Sequence, residues 1–420
     1  MRRTSRTWVA AVALAGLLLA ACGGAQAPGS GSGGETPPAT EGGEPIPIGA
    51  LTPVTGAGSA YGEAMQKTME IAVREVNEAG GPLGRPFQVY HEDSATDPEQ
   101  AVRGAQKLIE VNRVVAVLGT WSSAVTMAVA PLTIEAGIIE MNTSGSPDIS
   151  DLDDNGTVFR THAHNVMFGR VAAQVAQQRG AATAAVLYNN NPATIAIAEQ
   201  FTQHFEAGGG QVVESLMYNP NQTSYRSELR QVLAGDPDLV LLASYTPDAA
   251  IILREGYEEG ADVTWLGPGF AINQQLIDTV GAEIAEGVLA ADPIPAVDSP
   301  TYEHLEGIYR EETGGDIWDV SYAVETYDMV HLLALAIERA GTTDGAALGP
   351  ALIEISGPPG EKVYSFAEGA ALLREGKDID YEGASSRIDF DERGDVVADF
   401  GVFEIRGGSI ELIDSVTFGE

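Results

Sequence analysis

Two clusters of small hydroxyl residues follow neighbouring apolar runs. Ser122 and Ser123 come after residues 114–118, and Thr143, Ser144 and Ser146 come after residues 138–141. If both runs are strands and residues 124–136 are the helix between them, Ser122 and Ser123 fall at the helix N-cap. A free hydroxyl and unpaired backbone N–H groups can together receive an anion there, such as a carboxylate. The second cluster ends the next strand at the same sheet edge, where open α/β sheets collect ligands. One Ser-Ser pair alone also fits ordinary capping and turn chemistry. Trp121, Tyr61 and Tyr245 stand at similar strand-to-helix turns. Three aromatics at one sheet edge can wall an apolar pocket, and each taken singly fits plain packing.

Other motifs are weaker. Gly56-Ala57-Gly58-Ser59-Ala60-Tyr61 follows a strand pattern and opens a helix, but Tyr61 occupies the place of the third glycine of a dinucleotide fingerprint, and Asp93 comes too late to serve the ribose. Residues 151–156 place Asp151, Asp153 and Asn155 at alternate positions with glycine sixth, as in a calcium loop, yet His162 stands where the closing glutamate belongs. A polar surface turn is expected there. His162 and His164 would share a face of a strand, with no third ligand placed to complete a zinc site. Neither G-x-S-x-G nor H-E-x-x-H occurs, and no metal or cofactor is expected. These absences argue against an enzyme.

The elements that must position these residues alternate. Apolar runs at residues 46–54, 87–91, 114–118, 138–141, 158–160, 184–188, 212–217, 239–243, 264–266 and 285–291 are separated by helical patterns, the first with Met65, Met69, Ala72, Val73 and Val76 on one face. Such alternation predicts parallel sheets with helices on both faces. Long helices are expected over residues 302–313 and 320–339, and strands again from residue 386, with residues 389–395 as a turn between them.

The chain has 420 residues, 44% hydrophobic, enough for two lobes. Sixty Asp plus Glu against 23 Lys plus Arg give a formal net charge of −37, which excludes ordinary nucleic-acid binding by repelling phosphate backbones. Arg2, Arg3 and Arg6 precede an apolar run over residues 8–21, too short to span a bilayer that needs about 20 residues. It reads as a signal-peptide core over residues 1–21. Its end, Leu19-Ala20-Ala21-Cys22, is similar to a bacterial lipobox, and Cys22 is the only cysteine of the chain. An internal disulfide is therefore impossible, and lipidation of Cys22 is expected. Residues 22–45, rich in Gly, Pro, Ser and Ala, read as a flexible tether reaching about 25 Å.

The ordered pieces GALTPVTGAGSAYG, NEAGGPLGRPFQVYHEDSATDPEQAV, VVAVLGTWSSAVTMAVAPL, MNTSGSP, LLASYTPDAAIILREGYEEGADVTWLGPGF and RIDFDERGDVVADFGVF resemble the leucine/isoleucine/valine-binding proteins of bacterial ABC importers, over nearly everything from Ile46 onward. The resemblance implies a type I periplasmic binding protein: two Rossmann-like lobes with parallel sheets and a hinge of three crossovers near His162, Asp292 and Asp395. Residues 46–162 and 292–395 would form one lobe, 163–291 and 396–420 the other. It implies a small-molecule ligand held in the cleft by hinge closure, delivery to ABC permease subunits, a monomer, and a membrane-anchored, extracytoplasmic location. By position it carries a carboxylate-binding role to Ser123, polar-end contacts to Ser144, Gly145 and Ser146, and cleft-aromatic roles to Tyr61 and Tyr245. Two departures stand out. Gly269 follows Gly267-Pro268 where the family has an acid for the ligand's ammonium group, and Ala193 stands at or near the place of an aromatic. Asp93 and Asp248 are the acids that could substitute. A non-amino-acid ligand, or a sensor role, is the alternative reading.

Overall fold

A computed structural model describes residues 43–418. The expected signal peptide, Cys22 and most of the tether lie outside the described residues. Residues 43–45, expected in the tether, are instead held: Gly43 N–H donates to the Gly84 carbonyl at 3.1 Å, and Arg85 Nε donates to the Glu44 carbonyl at 2.7 Å.

The first sheet contains β1 (Ile46–Thr52), β2 (Phe87–Asp93), β3 (Ala116–Thr120), β4 (Ile139–Asn142) and β5 (Val158–Arg160). They lie in the order β2-β1-β3-β4-β5, all parallel. Every residue of β3 and β4 is buried, as helices on both faces require. The helix Ser59–Glu78 packs there against the helix Ala323–Ala340, which is buried on all sides from Ala323 to Ile337.

The second sheet contains β6 (Thr183–Asn189), β7 (Gln211–Tyr218), β8 (Leu239–Ala243), β9 (Thr264–Pro268) and β10 (Leu289–Pro293). A small parallel pair, β11 (Glu361–Val363) and β12 (Ile379–Tyr381), follows in the chain beside the first sheet's helices. The last strands, β13 (Phe400–Arg406) and β14 (Ser409–Val416), then join the second sheet, whose order is β14-β13-β10-β9-β8-β6-β7. Here the expected parallel pattern fails, because β13 is antiparallel to both β10 and β14. Gly407 (φ 57°) and Gly408 (φ 84°) make the two-residue turn that folds this pair back as a hairpin. Residues 386–399 form no strand, against expectation. They run as the third passage between the lobes, with Gly394 O accepting from Arg160 N–H at 2.8 Å and Asp395 paired with the buried Arg160 guanidinium at 2.9 Å.

The other two passages follow β5 and β10. Asp292 and Pro293 still pair with Gly401 and Phe400, so the second passage starts beyond 293. His162 and His164 lie in the first passage, outside any strand, and do not share a strand face. Among the described residues, no helix is long and apolar enough to cross a membrane, and no group of three or more His, Cys, Asp or Glu could hold a metal.

Candidate ligand-binding cleft

The carboxyl ends of the two sheets face each other across a closed cleft. Ser122 is the N-cap of the helix Ser123–Ala136, but its side chain makes no capping bond. Its Oγ instead lies 3.4 Å from the Tyr245 hydroxyl on the other lobe. Ser123 Oγ accepts from the Ser146 backbone N–H at 3.0 Å, tying the two hydroxyl clusters together. Ser144 Oγ donates to the Trp121 carbonyl at 2.9 Å and lies 2.6 Å from Thr126 Oγ1, so it is committed to holding the loop. Ser146 Oγ accepts from Asp148 N–H at 3.3 Å.

A cavity of about 20 Å³, room for one water, remains between the lobes. Trp121, Ser123, Thr143 and Gly145 line it from the first lobe, Asn165, Ala193, Tyr245 and Phe270 from the second. Thr143 Oγ1 is buried there without a hydrogen-bond partner. Ser122, Ser144 and Ser146 do not line it; they shape the loops that do. Gly145 is required by close approach, because a Cβ there would fall 1.9 Å from Asn165 Oδ1. The Asn165 N–H donates to the Gly145 carbonyl at 2.6 Å and its Nδ2 to the Ala193 carbonyl at 2.9 Å.

The aromatics form one cluster of tilted and edge-on rings across the cleft. Trp121 packs on Tyr61 (ring centroids 5.5 Å apart) and Tyr322 (5.7 Å) of its own lobe, and on Tyr245 (5.3 Å) and Phe270 (6.4 Å) of the other. Burial pushes the Tyr245 phenol up to about 12, the Ser122 hydrogen bond opposing it. Tyr61 opens the first helix, and its hydroxyl accepts from Asn273 Nδ2 at 2.6 Å across the lobes. Tyr322 has φ 69°, a left-handed conformation strained for a bulky residue; it is the N-cap of the helix Ala323–Ala340, which starts at 323 rather than at the expected 320.

A larger cavity, about 390 Å³, lies on the hinge side and shares His162 and Tyr322 with the small one. Tyr61, Gly269, Asn273, Asp292, Ser321 and Glu325 contribute to its wall. His162 Nδ1 and Glu325 Oε1 are 2.9 Å apart, and Ser321 Oγ donates to Asp292 Oδ2 at 2.9 Å. Burial pushes the Asp292 carboxyl up to about 7, with His162 opposing the shift. Of the expected substitutes, Asp93 accepts from Thr55 N–H and Oγ1 and from Ala95 N–H, and Asp248 from Tyr225 Oη and Asn221 N–H. Neither lines either of these two cavities.

Sequence reasoning thus pointed to Tyr61, Trp121, Ser123, Gly145, Tyr245 and Gly269, all of which line the cleft. Thr143, placed in the second hydroxyl cluster, also lines it, while Phe270, Tyr322, Asn273, Asp292 and Glu325 were missed as wall residues. Phe270 follows Gly269 directly and was within reach of the same reasoning. Glu325 and Asp292 have no local signal among 60 acidic residues.

Two α/β lobes joined by three passages, closed over a shared aromatic wall, define a binding protein of the hinge-bending class. A family model described as "Periplasmic binding protein" matches residues 45–409. The chain belongs to that family, with the type I fold. It is 26% identical over 364 residues, 86% of this chain and 89% of the relative, to the leucine-, isoleucine-, valine-, threonine-, and alanine-binding protein of Pseudomonas aeruginosa. Among solved structures it is similar to the leucine-binding protein LivK of Thermotoga maritima (TM-score 0.77, 23% identity, covering 88% of this chain and 98% of that one). It is also similar to an ABC-transporter solute-binding protein from R. palustris in complex with benzoate (TM-score 0.71, 20% identity, 88% and 96% covered). These relatives are described as binding or solute-binding proteins.

Proposed function

We propose that this protein is an extracytoplasmic solute-binding lipoprotein of an ABC importer, capturing a small polar ligand of the branched-chain or hydrophobic amino-acid class by hinge closure. The observation that carries this reading is the cleft wall. Ser123, the free Thr143 hydroxyl and a helix N-terminus stand together on one lobe, and Tyr245 and Phe270 face them from the other. The hydroxyls and N–H groups suit a carboxylate, and the rings suit an apolar body. Binding needs no covalent step. A ligand that touches both lobes favours the closed form by its differential affinity, and the permease's transmembrane subunits read that form. Cys22 would carry the lipid anchor, the chain acting as a monomer at the outer face of the membrane.

The second reading, a carboxylate, amide or urea as ligand, for import or sensing, is favoured by Gly269 and Ala193 at the two positions where the family pattern is lost. A thermal-shift screen of leucine, valine, other amino acids, aromatic and aliphatic acids and amides tests both, because a ligand of the native state raises Tm. Amino acids should respond under the first reading and ammonium-free ligands alone under the second. A screen in which nothing responds, or in which a ligand is chemically turned over, overturns both.

A further inference from the structure

The hinge-side cavity holds four buried side chains with unused polar atoms, the Thr161 hydroxyl and three that can carry charge. Asp292 is 8% exposed, Glu325 6% and His162 4%, and Asp292 Oδ1, Glu325 Oε2 and His162 Nε2 have no hydrogen-bond partner. A buried carboxylate oxygen left unpaired is costly, and a native fold that keeps two beside one cavity needs a donor to arrive. The charge of the cavity says which kind. Asp292, Asp319 and Glu325 line it with a single imidazole, and among the described residues no Lys or Arg does. A carboxylate ligand entering this end would face three carboxyl groups against one imidazole.

Gly269 explains how the carboxyl reaches this place. Its N–H donates to the Ala291 carbonyl at 2.9 Å, so the pairing with β10 continues one residue past the end of β9. A Cβ at 269 would lie 2.4 Å from Asp292 Cγ and 2.6 Å from Oδ2. The Asp292 carboxyl therefore occupies the volume that any side chain at 269 would claim. An acidic side chain at 269 and the Asp292 carboxyl in this position therefore exclude each other.

We propose that Asp292, seated over Gly269 and flanked by the His162–Glu325 pair, binds the protonated amine of the ligand. This rests on the cleft reading above and narrows it to ligands with a cationic nitrogen. Such a ligand would place its –NH₃⁺ donors on Asp292 Oδ1 at the hinge side, while the hydroxyl end of the cleft takes its other pole. His162 and Tyr322, which wall both cavities, lie along the path between the two poles. Asp292 itself lies in β10, beside the second passage between the lobes, so a cation there would sit next to that passage.

The test pairs probes that differ only in charge: L-leucine, 4-methylpentanoate (no amine) and 3-methylbutylamine (no carboxylate), with the matching sets for valine and phenylalanine. Binding to the wild-type protein and to Asp292→Asn is measured by calorimetry and thermal shift. Gly269→Ala serves as a second variant that displaces the carboxyl without removing its charge. The amine-bearing probes are expected to bind the wild type at least tenfold more tightly than their amine-free partners, and both variants to erase that preference. Amine-free probes binding as well as amine-bearing ones overturn the proposal. So does an unchanged preference in Asp292→Asn with native-like circular dichroism; in both cases binding persists and the cleft reading stands. No response to any probe overturns the cleft reading and this proposal together. If Asp292→Asn does not fold, loss of the preference in Gly269→Ala supports the proposal and its retention overturns it.

Discussion

Removing the Ser123 hydroxyl acts twice, because that oxygen both faces the cleft and accepts from the buried Ser146 N–H. Ser123→Ala is expected to lower stability by roughly 1–2 kcal/mol, the cost of orphaning a buried donor. Affinity for the responding ligand should fall by more than that global loss explains. Calorimetric binding at a temperature where both proteins are folded separates the two, and unchanged affinity removes Ser123 from the site. Glu140 shows a purely structural role for a buried acid. It is fully buried in β4, accepting from Thr133 Oγ1 at 2.7 Å and Thr120 Oγ1 at 3.2 Å, and burial pushes its carboxyl up to about 7. Its native state therefore keeps a proton that the unfolded chain releases near 4.5. The stability it contributes is complete below that pH and is lost as pH rises to 7, by roughly 3 kcal/mol. Glu140→Gln should raise Tm over the wild type at pH 8 and bring no gain at pH 4.5. Asp292 and Asp328 titrate upward-shifted in the same window, so the comparison is variant against wild type at each pH. An equal change at both pH values would show that Glu140 does not titrate on unfolding.

At the level of elements, closure depends on a loop and a helix start meeting without side-chain interference. Gly145→Ala would drive a Cβ into the Asn165 amide, which itself holds Ala193, so the β4 loop and the helix Asn165–Gln178 must separate. A larger radius of gyration by solution scattering and at least tenfold weaker ligand binding are expected, with partial recovery in the Gly145→Ala, Asn165→Ala double variant. No recovery would place the effect elsewhere. This contact could not be read from the chain, since Gly145 in a Ser-Gly-Ser turn looks like turn chemistry. The parallel strands were legible, because runs such as Ala116–Thr120 are apolar on both faces and bounded by turn residues. The terminal hairpin was legible in principle from Gly407-Gly408, a signal outweighed by the α/β alternation before it. The strand expected from residue 386 was not realised because those residues have hydrogen-bond partners across the passage, at Arg160, rather than in a ladder. Tyr322 and Asp292 reach the cleft only through tertiary folding, and no local spacing announces them.

For the whole molecule, charge dominates. With a net charge of −37, self-repulsion opposes the compact state and added salt screens it. Raising NaCl from 10 mM to 0.5 M should therefore raise Tm, by roughly 2 °C for each kcal/mol relieved in a chain of this size. A flat or falling midpoint would show that the surface ion pairs, such as Arg74 with Glu312 at 2.6 Å, outweigh the repulsion. The location of β13 has a different implication. It pairs with β10 across more than a hundred intervening residues, which build the other lobe. During synthesis β10 thus waits as a naked edge, its N–H and C=O groups open to any passing strand, until β13 arrives. Such deferred pairing makes folding slow and order-dependent, and places the risk of aggregation in the nascent chain.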